Sequence, residues 1–190
     1  MINYLEQLVS AKSGETELKN YLRQNPDIMA GYFSSPKQEY ILFSEYPIRD
    51  YRADFLMFTS RSRMDVIIFE MKGADFSFLN ENGNISAKVN EDLQALKHQM
   101  SIIASNDRYF REHFHEIRSK VENGSNVHNS VLGNKGYLNV DPHKDICVRG
   151  VFVGGFTTDD KSESKVRHIQ EVHSSRLNVE SWDSWIRKLN

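Results

Sequence analysis

The sequence predicts a three-layer α/β domain, a mixed sheet of four or five strands with helices on both faces. Three observations carry this. Residues 39–46, 51–58 and 65–72 are successive runs rich in aromatic and β-branched residues, joined by short polar links, which is the pattern of a strand meander. Residues 87–104 and 107–122 repeat apolar side chains at helical spacing. After both helices, residues 146–156 return to an apolar, strand-like run.

Taken in order, Glu15 to Gln24 reads as the first helix, with Leu18, Tyr21 and Leu22 as its apolar stripe, preceded by a helical lead-in over 1–14. Asn25-Pro26 ends it, because the residue before proline avoids the α region. Glu39 to Tyr46 is the first strand, and Pro47 is expected to break it. Tyr51–Phe58 and Asp65–Lys72 follow as a hairpin linked by Thr59-Ser60-Arg61-Ser62-Arg63. Next come Gly73-Ala74-Asp75-Phe76 and a polar turn over 80–84, with Asp75 a turn residue.

In the helix over 87–104, Val89, Leu93, Leu96, Met100 and Ile103 define one stripe at spacings of 4, 3, 4 and 3. Gln99 projects roughly 80° from the centre of that stripe at about 100° per residue, whereas Gln94 falls on the far, solvated side. Residues 107–122 follow with Phe110, Phe114, Ile117 and Val121 inward. His113 and His115, two apart, diverge on a helix and are expected at the surface. Residues 123–144 read as a long loop in which Lys135 and Lys144 are placed to meet nucleic acid. The chain closes with the strand over 146–156, a helix capped within Thr157–Asp160, a short strand at Leu177–Val179, and a helix anchored by Trp182, Trp185 and Leu189. There is no internal repeat or linker, so one domain over 1–190 is expected.

Hydrophobic content of 39% and charged content of 26% are those of a soluble globular chain. The single cysteine, Cys147, excludes an internal disulfide and fits a reducing cytoplasm. The first residues lack the basic and apolar regions of a signal peptide, and no apolar run reaches membrane-spanning length. His128 and His143 lack zinc-ligand spacing to Cys147. A net charge of −2 does not advertise a nucleic-acid binder, although positive potential can be concentrated locally on such a chain.

The charges on the hairpin stand out against its apolar body. At a period of two, Glu70 and Lys72 share one face of their strand, and antiparallel pairing returns the region of Asp54 towards them. Two carboxylates at that separation suit a hard cation such as magnesium, and a lysine beside them orients or deprotonates a water and offsets charge on a phosphate. Glu-x-Lys on an exposed strand is equally the pattern of a surface ion pair. The run Val66-Ile67-Ile68-Phe69-Glu70-Met71, apolar on both faces, argues instead for a buried strand, where charges are paired or functional. Arg52 flanks Asp54 and is read as a phosphate contact, a partner of Asp54, or a plain surface arginine. Glu17, at the edge of the first helix's stripe, reads as a solvated helix residue.

Asp54 followed by Glu70-Met71-Lys72 resembles the core of the PD-(D/E)XK nucleases, and within them the nuclease domain of the Shedu family of bacterial anti-phage proteins. Glu17-Leu18-Lys19-Asn20-Tyr21-Leu22, ending in Asn25-Pro26-Asp27-Ile28-Met29, is similar to that family's opening helix. Ala95-Leu96-Lys97-His98-Gln99 is similar to its glutamine-bearing helix, and Leu177-Asn178-Val179-Glu180-Ser181-Trp182 to its closing strand and helix start. Two departures stand out: Ala53 replaces a proline before Asp54, and Ile103 stands where related nucleases often carry tyrosine. The resemblance implies a metal-dependent DNA endonuclease of phage defence, with Asp54, Glu70 and the Met71 carbonyl holding Mg2+ or Mn2+, Lys72 positioning the water, Gln99 assisting, and Glu17 and Arg52 auxiliary. It also implies a homo-oligomer, dimer or tetramer, acting on phage DNA. The alternatives are a catalytically silent nucleic-acid binder and a protein-interaction module on the same fold.

Overall fold

The computed structural model describes residues 2–172, 174 and 176–189. Its elements run α1 (Ile2–Ser10), α2 (Glu15–Gln24), α3 (Pro26–Phe33), β1 (Tyr40–Ile48), β2 (Tyr51–Thr59), β3 (Asp65–Met71), α4 (Ala87–Ser105), α5 (Asp107–Glu122), β4 (Val131–Leu132), β5 (Cys147–Val153), α6 (Asp160–Val172), β6 (Leu177–Glu180) and α7 (Trp182–Leu189). The strands form one six-stranded sheet in the order β4-β1-β2-β3-β5-β6. The sheet is mixed: β1 pairs antiparallel with β2 and β4, and β5 pairs parallel with β6. No helix among the described residues is long and apolar enough to cross a membrane.

The chain gathers into two compact units, Met1–Ile28 with Phe69–Lys97 and Gly150–Asn190, and Met29–Ile68 with His98–Arg149. In the first, Leu5, Leu18, Leu22 and Phe78 are buried, and Trp182 meets Trp185 edge-on with ring centres 5.4 Å apart. In the second, Phe43, Phe58, Phe110 and Phe114 form an aromatic core: Phe58 lies 4.9 Å from Phe43 and 5.2 Å from Phe114, tilted geometries that aromatic quadrupoles favour.

Several expectations are corrected. Among the described residues the sheet has six strands, not four or five. Pro47 does not end β1, for it pairs opposite Arg52 within the β1–β2 hairpin. The reason is local: β4 pairs with β1 only at Ile41 and Leu42, so at Pro47 the strand has an open side where a missing N–H costs nothing. Pro26 ends α2 but also opens α3, because the N–H that proline lacks would be unpaired in a first helical turn anyway. The expected loop over 123–144 contributes β4 and a bridge from Val140 to Ser62.

The histidines of α5 are a further correction. His115 is buried and His113 half-buried, with His113 Nε2 3.2 Å from the Tyr46 hydroxyl. Arg118 Nε donates to His115 Nδ1 at 3.3 Å, so the imidazole can enter the core as an acceptor. Burial, reinforced by the charges of Arg118 and Arg111, pushes His115 down to about 4. A group depressed in the folded state stabilises the fold above its unfolded pKa and loses that contribution as pH falls towards the folded value. Native stability should therefore decline from pH 6.5 towards 4, by at most about 3 kcal/mol from this group. Urea denaturation across that range should show a flatter profile for His115→Gln; an unchanged slope would remove His115 as the cause.

Candidate active site

β3 ends at Met71, yet the next residue stays in register with the sheet. The Lys72 N–H donates to the Val153 carbonyl at 2.8 Å, and the Lys72 carbonyl accepts from Trp182 Nε1 at 2.7 Å. Gly154 is required beside it, because a Cβ there would lie 2.8 Å from Lys72 Cβ. Gly73 plays the same part towards α2: a Cβ would sit 3.0 Å from the Glu15 nitrogen, and Ala74 N–H reaches the Ser13 carbonyl at 2.9 Å. The backbone of Lys72 is thus fixed between β5 and α7, close to the start of α2.

Its ammonium sits among three carboxylates. Nζ is 2.8 Å from Glu70 Oε1, 3.6 Å from Glu15 Oε2 and 3.7 Å from Asp92 Oδ1. With only 16% of the Lys72 side chain and 11% of the Glu70 side chain exposed, these are not the solvated pairs that contribute little. Burial of Lys72 disfavours its charge, but the Glu70 hydrogen bond and the charges of Glu70, Asp92 and Glu15 outweigh it, so its pKa is raised and the amine is cationic at neutral pH. Burial likewise raises Glu15, and the bonds and charges of Lys19 and Lys72 overcome it to leave that carboxyl lowered. At Asp92 burial wins: Lys72 pulls the pKa down, but Glu15 and Glu91 add repulsion, and the net direction is upward. Asp92 Oδ2 is buried with no hydrogen-bond partner.

The structure therefore brings Glu70 and Lys72 together and adds two acids that the sequence did not single out. Glu15 is the first residue of α2, where the helix dipole favours a carboxylate. Asp92 lies three after Val89 and four before Leu96, on the flank of the α4 stripe. Glu17, the acid singled out on α2, is exposed and lines a cavity of about 410 Å³ with Tyr4, Asn20 and Tyr21. Met71 is buried at the end of β3.

The remaining candidates lie in the second unit. Asp54 is buried within β2, an ionisable group in a run of otherwise apolar positions, and Arg52 is exposed two residues before it. On α4, Gln99 is 3% exposed and its Oε1 has no partner, while Gln94 is exposed as its angle requires. Met100 was placed in the stripe but is only half-buried; the buried line runs Val89, Leu93, Leu96, Gln99, Ile103, so the glutamine itself takes a core position. Among the described residues no three His, Cys, Asp or Glu side chains group so as to hold a metal ion. The acids at Lys72 form an ion-pair cluster with the lysine at its centre.

No curated protein matches the chain. A family model described as Shedu protein SduA, C-terminal, matches residues 12–186, a span that contains every residue of the Lys72 cluster together with Asp54 and Gln99. With all but the two ends of the sequence inside that match, the chain belongs to the SduA C-terminal family of Shedu proteins.

Proposed function

We propose that the protein is a magnesium-dependent DNA endonuclease of the PD-(D/E)XK type, cutting phosphodiester bonds in anti-phage defence. The observation that carries the reading is the Glu70–Lys72 pair, buried at a strand end with the lysine held cationic. Family membership supports the setting in phage defence.

In this reading Asp54, Glu70 and the Met71 carbonyl would hold the ion. An all-oxygen set with few carboxylates is what magnesium accepts, and manganese would substitute. The bound ion would supply Lewis-acid polarisation of the scissile phosphate. Lys72, being charged, orients the attacking water by donating to its oxygen and offsets charge gathering on the phosphate; it does not begin the reaction as the base. Gln99 offers its unpartnered Oε1 to the attacking water, Arg52 meets a phosphate from the exposed end of β2, and Glu17 is a peripheral support. The working form is a dimer or tetramer, which sedimentation would reveal.

The test is nicking of supercoiled plasmid with magnesium and with chelator. Metal-dependent relaxation is expected. A mobility shift without cutting would make the protein a silent nucleic-acid binder, and neither effect would make it an interaction module. Gln99→Ala should slow nicking by about tenfold, the loss of one hydrogen bond of about 1.4 kcal/mol, and Gln94→Ala should leave the rate unchanged. The reverse ranking would discard Gln99.

A further inference from the structure

The turn between β2 and β3 and the segment 133–144 form one exposed face of the second unit. Ser62 joins them: its N–H donates to the Asn139 carbonyl at 2.9 Å, its carbonyl accepts from Asp141 N–H at 2.9 Å, and its hydroxyl accepts from Lys144 Nζ at 2.5 Å. The segment is strapped down at its start as well. Gly133 and Lys135 donate to the Tyr40 and Gln38 carbonyls, and a Cβ on Gly133 would lie 2.5 Å from Gln38 O.

On this fixed base the cations point outward. Arg61 Nε bonds both oxygens of buried Glu39 at 3.1 Å, which anchors a guanidinium whose side chain remains 56% exposed. Arg63, Lys135 and Lys144 are exposed. Of the nearby acids, Glu39 pairs with Arg61 and Asp145 with Arg111, while Asp141 Oδ1 accepts from His143 N–H. Tyr137 stands among them 48% exposed, with Lys135 Nζ 5.3 Å from its ring centre.

We propose that this face binds single-stranded nucleic acid, Arg61, Lys135 and Lys144 taking successive phosphates and Tyr137 stacking an unpaired base. Cations that follow a backbone, interleaved with an aromatic ring, are how sequence-independent single-strand sites are built. A duplex offers phosphates but no free base face, so it would use the cations and leave Tyr137 idle. The proposal rests on the nuclease reading for its substrate, and deepens it by assigning where an unpaired stretch of that substrate is held.

The test is fluorescence anisotropy of labelled single-stranded and duplex oligonucleotides with the full chain in chelator, so that nothing is cut. Tyr137→Ala should weaken single-strand binding at least about fivefold, the low end for one stacked base, and leave duplex binding unchanged. Lys135→Ala with Lys144→Ala should lower the slope of log affinity against log salt by roughly 1.4 on single strands. Lys165→Ala, an exposed lysine on α6, should do neither. Equal weakening by Lys165→Ala would mean diffuse charge only and overturn the proposal, as would Tyr137→Ala binding single strands at native strength. A protein that nicks plasmid while these variants bind normally would lose this face alone; one that shows the expected losses but never nicks would lose the endonuclease activity alone.

Discussion

Lys72→Ala is expected to lower magnesium-dependent nicking by two to four orders of magnitude, the range for losing a positioned charge at a reacting phosphate. The effect has two sources. The water and the phosphate lose their cationic donor, and Glu15, Glu70 and Asp92 are left facing one another without the ammonium that separates them. Because the folded pKa of Lys72 is raised, its contribution to stability is complete below 10.5 and is lost only as pH climbs through the folded value. Glu15 works from the other side: its pKa is lowered, so its contribution is present above 4.5 and lost as pH falls. At neutral pH both are in force, and the variant should be less stable by roughly 1–3 kcal/mol, below the full cost of breaking a buried pair because the cluster is partly hydrated. Lys72→Arg keeps the charge but replaces a point donor by a planar fork, so it should recover stability while leaving most of the activity lost. Nicking by Lys72→Ala at the native rate would remove the lysine from the chemistry altogether.

The candidate residues that the sequence singles out share one property: they contradict their surroundings. Glu70 and Lys72 end an apolar run that reads as a buried strand, and a charge there demands a partner. Gln99 was separable from Gln94 by angle alone. Glu15 and Asp92 were not legible, because an acid at a helix start or on a stripe flank is what any solvated helix carries; only the distance to Lys72 sets them apart. His115 was misplaced for a related reason. The pattern of α5 gives it no apolar neighbour at the right spacing, but Arg118, one turn on, donates to its Nδ1, while its Nε2 is buried without a partner. β4 escaped because two residues carry no periodicity, and Pro47 misled because its cost depends on how far the neighbouring strand extends.

Glu163→Ala should destabilise the protein by about 3–5 kcal/mol, the cost of stripping a buried charge network of one member. Glu163 lies in the first turn of α6 and is fully buried. Its Oε1 accepts from Ser181 N–H at 3.2 Å and its Oε2 from the Ser181 hydroxyl at 3.0 Å, while Arg167 Nη1 stands 3.5 Å from Oε1 and also pairs with Glu180. Removing the carboxylate leaves a buried N–H without its acceptor and an arginine with half its counter-charge. The damage should also travel. Ser181 Oγ accepts from Ser184 N–H at 3.2 Å and so caps α7, whose first residue, Trp182, holds the Lys72 carbonyl. Nicking should therefore fall in Glu163→Ala even under conditions where the variant is fully folded. Glu163→Gln keeps an oxygen for Ser181 and should cost less on both counts. For a chain of this size the alanine variant should melt at least about 6 °C below the native protein. Arg108→Ala, which breaks an ion pair exposed on α5, should shift the melting temperature hardly at all. A Glu163→Ala protein as stable as Arg108→Ala would show that α6 and α7 are held by packing alone; full stability with lost nicking would instead leave the Ser181–Trp182 link to Lys72 as the whole effect.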